Sequence, residues 1–337
     1  MPWWIYAAFV LLVTTLIVLD LSVLHRGEKR ISVKKALGWT CFWISLAMLF
    51  NVFIYFLYDG RLLPNWMTGE HASGRDAAIQ FFTGYLLEYS LSVDNIFVIA
   101  LIIEAFRVPS EHQHRLLFWG ILGAALLRGV MILAGATLME HFEWTMYFFG
   151  ALLIFSALRM AFADEEDFDP NKSFVMKTAR KLFPVTHEYH GKNFFIIQEG
   201  KKVATPMLLA LILIESCDVM FAVDSIPAVF GVTQDPFLVF TSNIFAILGL
   251  RSLYFALAGM MADFHYLKMA LVVLLIFIGV KMLLEHWLGV WIPNWDEIKN
   301  VASLGVIAVI LGAGIVASML HKPKPKPPAE TPETPAV

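Results

Sequence analysis

The stretch ESCDVMFAVDSIPA (215–228) sets three carboxylates, Glu215, Asp218 and Asp224, between the apolar runs MLLALILI and VFGV. Upstream, EYSLSVDNIF (88–97) places Glu88 and Asp94 in a similarly apolar setting. A charged side chain at the centre of a bilayer costs roughly 2.5–3.5 kcal/mol on insertion scales, so intramembrane acids invite a functional reading. Arg128 and Arg251 also fall mid-run and can offset two of the five acids. The remaining negative excess would hold protons or bind a cation. Oxygen donors from Asp, Glu, Asn and Ser suit hard or borderline divalent ions such as Mg, Ca and Mn.

Helical geometry sharpens the set. Glu88, Ser92 and Asn95 lie at i, i+4 and i+7 and share one face. Asp94 stands six residues after Glu88, about 120° round a regular helix, and Asp224 has the same offset from Asp218. Either the two acids of each pair serve different neighbours or the helix breaks between them. Pro227, which lacks a backbone donor, favours a kink just after Asp224. The structural alternative is that the acids pair with Arg128 and Arg251 only to fix helix packing. Two arginines cannot pair five acids, and both motifs keep the two acid positions, which weighs against that alternative. Glu215, with no counterpart in the first motif, where Tyr85 takes the matching place, fits the structural and the functional reading equally.

The elements that carry these residues follow from composition. Hydrophobic residues make up 58% of the chain, charged ones 16%, and mean hydropathy is +0.68. A soluble chain of this size would need more charge on its surface. The pattern indicates an all-α polytopic membrane protein with nine transmembrane helices, near 2–24, 36–58, 77–103, 116–138, 144–163, 205–231, 237–262, 267–287 and 299–319. The first run lacks a positive start and a cleavage site, so it reads as a retained anchor. The connections on one side carry 18 Lys and Arg and those on the other carry three, Arg61, Arg75 and Lys299. The positive-inside rule then puts the N-terminus outside and the C-terminus in the cytoplasm. A net charge of −3 gives no reason to expect a nucleic-acid partner.

An internal repeat organises the middle of the chain. Both motifs place an acid six residues before Asp-[Asn/Ser]-Ile; LLRGV at Arg128 resembles GLRSL at Arg251; LLIFSALRM ending beyond Arg159 resembles LLIFIGVKM ending beyond Lys281. Each unit holds three spans, an odd number, so the two units run in opposite directions. Such 3+3 inverted repeats are typical of secondary transporters, with the site near the midplane at the repeat interface. The resulting division is two N-terminal helices (1–76), a first repeat (77–163), a cytoplasmic loop with a small hairpin turning near Glu199–Gly200 (164–204), a second repeat (205–287), a C-terminal helix (288–320) and a Pro-rich tail (321–337). Arg159 and Lys281, nearer their span ends, are placed to snorkel.

Weaker signals lie elsewhere. His187, Glu188 and His190 could form a regulatory metal site and DEEDFD could gather cations, though solvated surface accounts for both. Cys41 and Cys217 imply no disulfide framework; beside the acids, Cys217 is read as a small buried hydrophobe rather than a soft ligand. Asp20 and Asn51 sit outside the repeat. Trp residues near span ends fit interfacial anchoring, and GAGIVASML (312–320) is a weak helix-packing signal. No nucleophile–base constellation or nucleotide motif suggests an enzyme.

The segments FFTGYLLEYSLSVDNIFVIALI and IESCDVMFAVDSIPAVFGVTQDPFLVFTSNIFAILGLRSLYFALAGM strongly resemble the TerC family of bacterial integral membrane proteins, in its Alx-like branch and within the LysE-type transporter superfamily. The likeness covers roughly residues 5–320. It implies manganese export across the cytoplasmic membrane, with a historical link to tellurium resistance and, for some relatives, work beside the secretion machinery. Carried over by position, the implied cation-handling residues are Glu88, Asp94, Asn95, Glu215, Asp218, Asp224 and Ser225, with Arg128 and Arg251 balancing charge. No cofactor is implied, Mn2+ being the cargo. Efflux of another cation such as Ca2+, or a stress-related scaffold without transport, are the competing expectations.

Overall fold

The computed structural model describes residues 2–24, 33–60, 62, 73–142, 144–162, 174–182, 184–186, 188–189, 191, 193–198, 200–257, 266–292 and 295–320. DEEDFD, His187, His190 and the Pro-rich tail lie outside the described residues, as do the side chains of Asp20 and Asp94.

Inside a bilayer every backbone N–H and C=O must find its partner within the chain, which leaves long apolar segments little choice but helix. The segments form α1 (Trp3–Leu24), α2 (Val33–Tyr58), α3 (Gly74–Ala105), α4 (Ser110–His141), α5 (Thr145–Phe162), α6 (Phe174–Leu182), α7 (Pro206–Phe230), α8 (Pro236–Leu248), α9 (Leu250–Leu257), α10 (Leu267–Trp291) and α11 (Trp295–Leu320). Among the described residues six helices are long and apolar enough to cross a membrane: α2, α3, α4, α5, α7 and, from Ile298, α11. α8 and α9 bend by 41° across Gly249 and together make a seventh. α1 contributes a shorter apolar stretch, Trp3–Val18. The sequence led to an expectation of nine transmembrane helices; among the described residues length and composition support six, or seven with the bent pair.

The helix ends are chemically marked. Ser73 caps α3, its hydroxyl accepting from the Asp76 N–H at 3.1 Å, and Asp76 sits in the first turn where the dipole favours an acid. Asp235 caps α8 by accepting from the Phe237 N–H at 2.8 Å, and Pro236 follows at the first helical position, where its missing donor costs nothing. Between α6 and α7, strands β1 (Phe195–Gln198) and β2 (Lys201–Ala204) form an antiparallel hairpin with Phe195 opposite Ala204. Gly200 takes φ +75° in its turn, a conformation that suits a residue without Cβ.

The expected kink at Pro227 is not where the chain breaks. α7 runs unbroken through Pro227, and the interruption falls in the following span at Gly249. A proline near a helix's last turn removes only one ladder bond, whereas Gly249 ends α8 outright.

Lipid tails are as apolar as leucine, so close packing rather than water exclusion holds such helices together. α3 lies centrally against α2, α7 and α8, while α4 packs on α7 and α8, and α5 packs on α10. At the α5–α10 crossing a Cβ on Gly279 would stand 2.7 Å from the Gly150 carbonyl oxygen, so the backbones meet only because both residues are glycine. An aromatic cluster of Phe9, Phe50, Phe81, Phe237 and Phe245 joins α1, α2, α3 and α8, with Phe50 and Phe245 centroids 4.6 Å apart. The hairpin end is tied down by the Tyr189 hydroxyl, which donates to the Phe106 carbonyl at 2.6 Å, and by Arg115 over the Phe194 ring.

Candidate functional site

Arg128 is fully buried in the middle of α4, and the sequence supplies acceptors for its five donors from three other helices. Asp218 of α7 is bidentate: Nη2 donates to Oδ1 at 2.8 Å and Nε to Oδ2 at 3.3 Å. Glu88 of α3, also fully buried, forms an ion pair with Nη1. Nη1 further approaches Ser225 Oγ and Asn243 Oδ1, each at 3.5 Å. The Asn95 amide is satisfied when its oxygen faces the guanidinium, accepting from Nη2 at 3.1 Å while its nitrogen donates to the Leu91 carbonyl at 3.3 Å. A planar, always-charged fork suits this many-sided task better than an ammonium would.

One guanidinium faces two carboxylates, and Glu88 makes its ion pair without an aligned hydrogen bond to either oxygen among the described residues. Ser92, one turn along α3, is buried, and its hydroxyl has no hydrogen-bond partner among the described residues. Glu215 lies three residues before Asp218 on α7, in contact with α4 at Gly123, where any Cβ would collide with the carboxylate. Its Oε2 is buried without a hydrogen-bond partner among the described residues. Unmet buried acceptors cost about 1–3 kcal/mol each, more when charged, so they mark places where a donor or cation would be welcome.

Toward the hairpin end, a cavity of about 30 Å³ lies beside this cluster, lined by Asp218, Asn95 and Arg251 among apolar residues including Ile99, Ile214 and Tyr254. It exceeds the 10–15 Å³ or so that one water needs. Arg251 borders the site from α9, just beyond the break at Gly249. Cys217 is buried in the apolar cluster at this end.

The sequence-predicted set is thus brought together only in part. Glu88, Asn95, Asp218 and Ser225 surround Arg128, with Arg251 and Glu215 adjoining. Asp224 stands apart: it accepts from the Ser156 hydroxyl of α5 at 2.5 Å, with Arg159 nearby. Asp94 is on α3, its side chain outside the described residues. Among the described residues no three His, Cys, Asp or Glu side chains converge to hold a metal ion. The offset of about 120° on an unbroken α7 sends Asp218 and Asp224 to different neighbours. Lys281 also departs from expectation, since it does not snorkel. It is 6% exposed and donates to the Gly231 carbonyl at the end of α7, at 3.1 Å. Asn243 and Ser156 were not foreseen. The signal for Asn243 was present in TSN (241–243), three consecutive polar residues in an apolar helix.

Residues 73–326 match the family model described as "Integral membrane protein TerC family". The chain is 43% identical over 316 residues to "Uncharacterized membrane protein STKORF319" of Myxococcus xanthus, covering 94% of this chain and 92% of that protein. It is 41% identical over 317 residues to the Salmonella typhi protein named "Putative membrane-bound redox modulator Alx", covering 93% and 92%, and 37% identical over 314 residues to a Rickettsia bellii membrane protein, covering 93% and 96%. No solved structure matches the chain. With its multi-pass helical architecture and a family match across three quarters of its length, the chain belongs to the TerC family of integral membrane proteins.

Proposed function

We propose that this chain exports a divalent cation, Mn2+ foremost, from the bacterial cytoplasm across the inner membrane by alternating access. The observation that carries the reading is the surplus of buried carboxylate around a single central guanidinium, beside a small cavity. A cation entering from the hairpin side meets Glu215, Asp218 and the Asn95 amide. To engage Glu88 or Asp218 fully it must displace part of the Arg128 fork. Arg128 then acts as a built-in counterion, returning to the carboxylates once the cargo leaves and sparing the centre an uncompensated buried charge. Carboxylates that exchange a cation for a counterion can also exchange it for protons, which makes proton coupling an option for Asp224, set apart on the α5 side.

Packing supports the 3+3 inverted repeat. If α3, α4 and α5 correspond to α7, α8–α9 and α10, a pseudo-two-fold axis exchanges the α3–α8 contact with the α4–α7 contact. It maps α3–α7 and α5–α10 onto themselves, and all four pairs are present. Residues matched by the repeat, Glu88 with Asp218 and Asn95 with Ser225, all reach Arg128. This reading counts α1 and α10 as spans, giving nine, with the N-terminus outside.

The Alx relatives' name invites a redox-modulator or scaffold role. Cys41 is exposed on α2 and Cys217 buried on α7, both free, so a dithiol site does not support a thiol–disulfide version of it. Transport decides between these roles. Purified protein in liposomes should carry Mn2+ down a gradient, with Ca2+ competing weakly, and Glu215→Gln should slow the flux. Equal flux in the variant would remove the acids from the path; no flux at all would favour the scaffold.

A further inference from the structure

On the side of Arg128 away from the hairpin, small polar residues line the seam between α3 and α8. α3 presents Gln80, Thr83 and Gly84 along the Glu88 face, at spacings of three and four. α8 brings Thr241, Ser242 and Asn243, all buried. Their hydroxyls donate back to their own helices, Thr83 to the Ile79 carbonyl at 2.7 Å and Ser242 to the Val239 carbonyl at 3.2 Å, which leaves oxygen lone pairs facing outward from the helix as cation acceptors. The seam is closed at Gly84, where a Cβ would stand 2.9 Å from Ser242 Oγ and 3.1 Å from Val229 Cγ1.

Two hydrogen bonds finish the closure beyond this point. The Tyr58 hydroxyl of α2 donates to Asp235 Oδ2 at 2.5 Å, and the Thr233 hydroxyl donates to Gln80 Oε1 of α3 at 2.8 Å. Thr233 and Asp235 form the turn between α7 and α8, so these bonds strap that turn to both α2 and α3. The other Asp235 oxygen caps α8, so the strap and the first turn of α8 move together. The molecule is therefore asymmetric about its charged centre, with a cavity on the hairpin side and a strapped seam opposite.

We propose that the α3–α8 seam is the exit route for the divalent cation, and that Tyr58–Asp235 with Thr233–Gln80 is its outer gate, shut in this conformation. The cargo and the direction rest on the export reading above; the gate can be tested without any cargo. The probe is a cysteine in the seam, Ser242→Cys, in full-length protein carrying Cys41→Ser and Cys217→Ala. A membrane-impermeant maleimide added to intact cells reads its access from outside, with Trp144→Cys as an exposed control. Tyr58→Phe alone, which keeps the ring, should speed labelling of residue 242 about two- to tenfold, the population shift that loss of one hydrogen bond brings, and Tyr58→Phe with Thr233→Val, which removes both, should speed it further. The control rate should not change, and membrane abundance should match the parent. An unchanged rate at residue 242 in both variants overturns the gate. Faster labelling in a protein that moves no Mn2+ upholds the gate and sinks the export reading, whereas unchanged labelling with intact Mn2+ flux does the reverse.

Discussion

Asp218 and Asp224 stand six residues apart on one unbroken helix, and their surroundings differ in kind. Asp218 is held by Nε and Nη2 of a buried guanidinium and shares that cation with Glu88. Asp224 turns to α5 and accepts one hydroxyl donor, from Ser156. The first is part of a charge network whose members cannot be removed singly without leaving a buried charge behind. The second is a half-buried acid held by a neutral donor, with Arg159 nearby. Intramembrane carboxylates of similar sequence context thus divide into those that build the centre and those that only serve it.

The difference predicts a graded series. Arg128→Met should be the most damaging change, because it leaves Glu88 and Asp218 buried and mutually repelling; removing one partner of such a pair costs about 3–5 kcal/mol. Membrane abundance and the thermal midpoint of the solubilised protein should collapse, and a near-normal midpoint would refute the idea that the network holds the bundle together. Asp218→Asn should come next, losing charge-assisted bonds worth about 1.5–3 kcal/mol and abolishing Mn2+ flux. Asp224→Asn keeps an acceptor for Ser156, so its stability should stay within about 1 kcal/mol of the parent while flux falls. If the two Asn variants were equally destabilised, the contrast between the acids would disappear. Ser156→Ala should be mildest, costing about 0.5–1.5 kcal/mol and slowing flux only in part; complete loss of flux would move Ser156 into the path itself.

Much of the fold was legible because hydropathy is local. The run read as 116–138 became α4 at Ser110–His141, and the run read as 205–231 became α7 at Pro206–Phe230. The break at Gly249 was not legible, since Pro227 offered the more familiar local signal and the bend depends on how α9 packs against α2. The residues of the site were visible as misplaced charges, but their grouping was not. That Arg128 would take two acids while Arg251 borders the cavity depends on helix rotation, which sequence spacing alone leaves open. Lys281 illustrates the same limit: near a span end it could reach water, yet the open carbonyl of Gly231 is closer. Asn95 and Ser225, matched in the repeat expected from the sequence, both face the Arg128 guanidinium.

The central claim is that a divalent cation leaves the cell through the carboxylates around Arg128. The most direct test is cellular manganese, measured by mass spectrometry after a manganese challenge in an exporter-deficient bacterium carrying the parent chain, Asp218→Asn or Ser156→Ala at matched membrane abundance. The account predicts low manganese with the parent, high manganese with Asp218→Asn and a value between them with Ser156→Ala. Manganese equally low with the parent and Asp218→Asn would contradict the site, and manganese equally high in all three would contradict export.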